Sequence, residues 1–161
     1  ADSQIKEDSP SAEQKKTVAS LISQAIDEAK IAVSLSSSSQ NLENLGLIYK
    51  NLIGIAPKAE EYSLAALRLA VSHDPKNPRL QLEIAGIYFL LKDYNQARKF
   101  YENALVLNPK YGLAQFGLAL VEKESGNPKK AVEYFQLALK NTSHGSPDYQ
   151  KIKADLTYFL K

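Results

Sequence analysis

The sequence predicts an all-α chain of helix pairs that repeat along it, and three observations carry that expectation. First, all seven prolines (Pro10, Pro57, Pro75, Pro78, Pro109, Pro128 and Pro147) fall between apolar-periodic segments of about 12 to 17 residues, so no helix interior has to hold one. Second, β-branched alternation is absent, and no Asn-Gly or Asp-Gly dipeptide joins strand-like runs, which leaves hairpins without a local signal. Third, self-comparison finds one offset of 34 residues: Ile84-Ala85 recurs as Leu118-Ala119, Ala97 as Ala131, Tyr101 as Phe135, Ala104 as Ala138 and Pro75 as Pro109.

The elements follow in order. The opening ADSQIKEDSP is polar enough that residues 1–10 are expected to be disordered, and the absence of Met and of an apolar leader core reads as a fragment or a processed chain. Ser9-Pro10 pairs an N-cap residue with a first-turn proline and starts a helix near 11–35. Its Ala25, Ala29 and Ala32 read as the second helix of a broken repeat. Ser36 to Ser39 form a flexible joint with capping residues, and a helix near 39–53 carries Leu42, Leu45, Gly46 and Tyr49. The spacing from Gly46 to Ser63 is 17, against 12 from Ala85 to Ala97, so the turn NLIGIAPK holds five extra residues. It reads as a tolerated surface insertion or, through Ile53, Ile55 and Pro57, as an apolar lip.

A helix near 58–73 follows with Ser63, Leu67 and Ala70 in the same frame. Asn77-Pro78 opens 78–91, and 94–107 completes that pair. Helices near 111–125 and 128–140, the latter opened by Asn127-Pro128, form the next pair, and Ser146-Pro147 opens a solvating cap near 147–160. Small residues at Gly46, Ala85 and Ala119 let paired helices approach closely, while Tyr49, Leu67, Tyr88, Tyr101 and Phe135 fill the space between pairs. One pair cannot bury such a face alone; stacked neighbours bury a continuous core.

The matched positions resemble the tetratricopeptide repeat family, whose first helix reads L-G-x2-Y after a large residue and whose second reads A-x3-F-x2-A before a proline. Leu42, Leu45, Gly46 and Tyr49 reproduce the first half; Ala97, Tyr101, Ala104 and Pro109, after Ile84, Ala85 and Tyr88, reproduce the second. The resemblance implies a right-handed superhelical α-solenoid of about three helix pairs in one domain, 11–161, with repeats near 39–75, 78–109 and 112–143 and a cap at 147–160. Glu122 departs from the pattern, standing where the family places an aromatic, and implies looser packing of the third repeat against the cap.

The resemblance also implies function. In this family the first helices of successive repeats line a concave groove that binds protein segments. Here that groove is expected to hold Glu43, Leu47 and Lys50, then Leu82, Gly86 and Phe89, then Leu113, Phe116, Leu120 and Lys123, with Lys50, Arg79 and Lys123 flanking an apolar stripe. The Lys, Arg and Asn set of family members that grip a C-terminal carboxylate is mostly missing. The stripe suits the apolar face of a helical or extended protein segment. Coverage by a neighbouring helix or terminal segment, and self-association as a homodimer, are the alternatives. In organisation, a long-turn first repeat followed by regular ones is similar to the C-terminal repeat domain of bacterial O-antigen polymerase/ligase-like membrane proteins. That resemblance implies a soluble domain mediating assembly, in the cytoplasm or tethered through a parent chain.

Composition narrows the remaining classes. The chain has 161 residues, enough to bury roughly 70% of its unfolded surface as one domain. Lys+Arg 20 against Asp+Glu 18 gives a net charge of +2, too small to mark a nucleic-acid or anionic-membrane binder. The longest apolar run, Ile84 to Leu91, is short of a bilayer span. Without Cys there are no thiolate metal sites and no cysteine nucleophile. His73 and His144 are isolated in connectors, and the pairs Glu60-Glu61 and Glu122/Glu124 are spaced for solvated helix surfaces. No phosphate-cradling glycine loop or nucleophile elbow occurs. The expectation is a non-catalytic binding module with no cofactor and no metal. Asn141-Thr142-Ser143 has the form of a glycosylation acceptor and carries no weight alone.

Overall fold

The computed structural model describes residues 12–161; the expectations of a disordered segment at 1–10 and of the Ser9-Pro10 helix start lie outside the described residues. Among the described residues every regular element is an α-helix: α1 (Ala12–Leu35), α2 (Ser39–Asn51), α3 (Ala59–His73), α4 (Pro78–Leu90), α5 (Tyr94–Leu107), α6 (Gly112–Glu124), α7 (Pro128–Lys140) and α8 (Pro147–Phe159). Their ends are set chemically. Ser38, Asn77, Asp93 and Ser146 each accept a first-turn backbone N–H through the side chain, with Pro78 and Pro147 directly after two of those caps. Asn127 precedes Pro128 but does not cap with its side chain, which is engaged elsewhere.

Two helix stops repeat the 34-residue frame. After α4, Asp93 N–H donates to the Tyr88 carbonyl at 2.9 Å, and after α6 Asn127 N–H donates to that of Glu122 at 2.9 Å, closing the same turn. The residue that must turn left-handed is Gly126 (φ 76°) in one turn and Lys92 (φ 60°) in the other, so only the second strains a side chain. The longer connection between α2 and α3 is built differently. Gly54 (φ 83°) and Lys58 (φ 61°) turn the chain, Leu52 is buried, and Ile55 is exposed.

The helices pack pairwise as α2 with α3, α4 with α5 and α6 with α7, and the pairs stack in chain order, with α1 against α2 and α8 against α7. The core is a row of four apolar clusters along the stack. Tyr49, Leu52 and Ala59 pack with Ile22 and Ile26 of α1, so the long turn seats the first helix instead of lying free on the surface. Leu42, Leu67, Leu80, Ile84 and Ile87 form the next, Ala85, Tyr101, Leu118 and Val121 the third, and Phe116, Phe135 and Ile152 the last. Ser63 takes the place of Ala97 and Ala131; its fully buried hydroxyl donates to the Gly46 carbonyl at 2.6 Å, which satisfies a polar group where the frame otherwise holds a methyl.

The expectation at Glu122 is corrected. Its side chain is 4% exposed and is clamped by Arg98 of α5, whose Nη2 and Nε stand 2.9 and 3.1 Å from Oε1, and by Asn127 Nδ2 at 2.7 Å from Oε2. The carboxylate is thus neither a solvated face nor a loose contact with the cap: it ties α5, α6 and the turn before α7 together.

Candidate binding groove

α2, α4 and α6 carry the positions that the repeat frame assigns to the concave side. A cavity of about 240 Å³ opens there, with Leu82, Leu113, Phe116 and Leu120 as apolar lining and Lys50, Glu83, Asp148 and Lys151 as charged lining. Two glycines shape it. A Cβ on Gly117 would stand 2.3 Å from the Tyr101 ring, so only glycine lets that ring lie flat on α6, and Gly86 leaves room for the Lys50 ammonium. α8 closes one end: Asp148 and Lys151 line the cavity, and Lys151 Nζ lies 5.7 Å from the centre of the Phe116 ring.

Of the eleven residues expected in or beside the groove, Lys50, Leu82, Gly86, Leu113, Phe116 and Leu120 line this one concavity. Glu43, Leu47, Arg79, Phe89 and Lys123 do not. The Phe89 ring tilts against Tyr94 at 5.6 Å and joins the core between α4 and α5. Lys123 points to Glu124, 3.8 Å away at the surface. Phe116 is itself 7% exposed, held by Phe135 at 5.9 Å, so it belongs to the core beneath the groove more than to its open face.

The flanking cations are paired, not free. Lys50 Nζ sits 2.7 Å from Glu83, and Arg79 Nε sits 2.8 Å from Glu43, each pair bridging α2 and α4. Opposite charges on facing helices at this distance hold the inner layer in register. Glu43 is 2% exposed; burial raises its pKa, Arg79 lowers it and nearby Glu83 raises it further. Burial, followed by the Glu83 charge, pushes the Tyr101 phenol up to about 12, and the same two causes lead in raising Tyr111. Glu83, Tyr101, Gly117, Asp148 and Lys151 are not among the residues expected here. Glu83 has a signal, a carboxylate beside Leu82 facing the Lys50 position, whereas Asp148 and Lys151 come from α8, outside the repeat frame.

No group of three or more His, Asp or Glu able to hold a metal occurs among the described residues. His144 lies against Tyr149, ring centres 4.3 Å apart, in the turn before α8. The Asn141 amide donates to Gln115 Oε1 at 2.9 Å, so the nitrogen a glycan would use is engaged in joining α6 to α7. No described helix is long and apolar enough to cross a membrane.

Comparison with known proteins places this architecture. Residues 77–143 match the family model described as tetratricopeptide repeat. The chain is 42% identical over 73 residues to human Protein O-mannosyl-transferase TMTC3, a match covering 45% of this chain and only 8% of that protein. Among solved structures it is similar to TTC0263, a thermophilic TPR protein of Thermus thermophilus, with TM-score 0.75 and 20% identity over 90% of this chain and 76% of that one. It is similar to MamA, with TM-score 0.64 and 17% identity over 95% of each chain. It also resembles the first TPR of Spaghetti (RPAP3) bound to HSP90 peptide SRMEEVD, with TM-score 0.61 and 20% identity over 76% of this chain and 98% of that one. Residues 77–143 thus carry the tetratricopeptide repeat pattern, and the stacked helix-pair fold is shared along most of the chain's length with solved repeat structures.

Proposed function

We propose that this chain is a non-catalytic interaction module that holds a helical or extended protein segment against α2, α4 and α6. The observation that carries the reading is the cavity whose apolar lining, Leu82, Leu113 and Leu120, is flanked by the neutralised pair Lys50–Glu83 and by Asp148 and Lys151 of α8. Because the lining charges balance in number, Lys50 and Lys151 against Glu83 and Asp148, the groove favours an amphipathic segment presenting an apolar face over a strongly acidic one. A peptide bound to one structural neighbour supports the class of partner, not its identity. In this reading residues 11–161 act as one domain.

The test is selection from a displayed peptide library against the purified chain, followed by titration of the selected peptides. Leu82→Glu and Leu120→Glu are expected to weaken binding at least about tenfold while the helical circular dichroism stays unchanged. Undiminished binding by both variants overturns the groove.

A second reading treats the chain as the assembly-mediating repeat portion of a larger protein, such as the O-antigen polymerase/ligase type. The match to a small share of a much longer transferase favours it. Light scattering across a wide concentration range tests the self-association it includes: a concentration-dependent dimer supports that part and a monomer throughout removes it.

A further inference from the structure

Outside the groove, the repeat frame exposes a difference between the first pair and the next two. Ala66, Phe100 and Tyr134 occupy one position, each 34 residues from the next, on α3, α5 and α7. Phe100 packs against both the second and the third core clusters, and Tyr134 against both the third and the last, so each ring plugs the seam between neighbouring pairs. Phe100 also stacks on Tyr88, ring centres 5.4 Å apart and planes 14° apart. The first pair keeps the tyrosine, Tyr49, but has a methyl in place of the ring. Tyr49 leans instead on the half-exposed Tyr62 at 5.1 Å. An open slot of about 460 Å³ remains, lined by Val33, Leu42, Leu45, Tyr49, Ala66 and Leu69. The charged side chain at its edge is Lys30 of α1, which has no ion-pair partner among the described residues.

We propose that this slot is a second docking site, distinct from the concave groove, for a partner protein segment that inserts an aromatic side chain and sets a carboxylate against Lys30. The later repeats show which group the seam accepts, since the chain fills it twice with its own ring. The slot leaves a phenyl-sized apolar group to come from outside, and the unmatched ammonium selects an acidic neighbour for it. Tyr62 and Leu69, 51% and 48% exposed, form the apolar edges that such a segment covers.

The probe is an alanine-based helical peptide carrying one Phe with a Glu four residues away, titrated into the isotopically labelled chain and followed by methyl NMR. Saturable shifts are expected at Val33, Leu42, Leu45 and Leu69 and not at Leu82, Leu113 and Leu120. Replacing the peptide's Phe by Ala is expected to abolish them, and replacing its Glu by Lys to weaken binding several-fold. Ala66→Phe gives the first pair the ring of the second; it is expected to weaken the peptide at least about tenfold while the thermal midpoint holds or rises. If that variant fails to fold, Leu69→Asn, which installs the residue found at Asn103, is expected to weaken binding in the same direction. Absence of saturable shifts, unchanged affinity in the folded variant, shifts confined to the concave groove, or equal affinity for free 3-phenylpropanoate each overturn the proposal. None of these readouts depends on the concave groove binding a partner.

Discussion

Two glycine-to-alanine replacements of the same kind are expected to move stability in opposite directions. Gly86 and Gly117 both sit inside helices, where glycine costs about 0.8–1 kcal/mol relative to alanine. At Gly86 the new Cβ would meet Lys50 Nζ at 3.2 Å and Cε at 3.6 Å, the far end of a flexible chain that can give with its partner Glu83. The propensity gain survives, and Gly86→Ala is expected to stabilise by about 0.5–1 kcal/mol. At Gly117 the Cβ would stand 2.3 Å from Tyr101 Cε1 and Cζ and 2.7 Å from Cδ1, on a ring that is 6% exposed and packed in the core. Contacts that short with a core ring put the overpacking cost at about 2–3 kcal/mol, so after the propensity gain Gly117→Ala is expected to lose about 1–2 kcal/mol net. For a chain of this length that separates the variants to about +1 to +4 °C and −2 to −8 °C in Tm. Differential scanning calorimetry with urea titration checks it. Equal shifts of the same sign would show that the ring does not set the spacing of α5 and α6.

Other outcomes follow from the same contacts. Glu122→Ala strips Arg98 and Asn127 of their shared acceptor; with Arg98 30% exposed, the loss by urea titration is expected at about 1.5–3 kcal/mol, and Glu122→Tyr is not expected to rescue it because Tyr134 already fills that seam. Glu43 holds its proton more tightly folded than unfolded, so the unfolded chain releases it first and stability falls as pH rises above 4.5 toward the folded pKa. Glu43→Gln is expected to remove that downward component, read from urea midpoints near pH 4 and pH 7. Leu52→Ala empties a 6% exposed site under α1 and is expected to cost about 2–3 kcal/mol, with hydrogen exchange rising first in α1. A uniform rise across all helices would show that the long turn does not anchor that helix selectively.

Along the chain, local chemistry alone placed the eight helices to within two residues. Proline, capping Ser and Asn, and a 34-residue recurrence of small and aromatic residues act on neighbours a few residues away or repeat at fixed steps, so they can be read without knowing the fold. The same holds for the apolar lining of the groove, because Leu82, Leu113 and Leu120 lie on one face of successive inner helices. Packing between helices settled the rest. Glu122 became a buried clamp because Arg98, 24 residues earlier, reaches it, and the long turn became the seat of α1 because Ile22 and Ile26 pack against the cluster of Tyr49, Leu52 and Ala59. Lys50 and Arg79 lost their free charge to Glu83 and Glu43 across helices α2 and α4, and Phe116 sank beneath Lys151 of a helix outside the repeat. A linear pattern reports which face of a helix is apolar. Which partner neutralises a charge or covers a ring depends on distances between segments far apart in sequence, and those exist only once the helices have stacked.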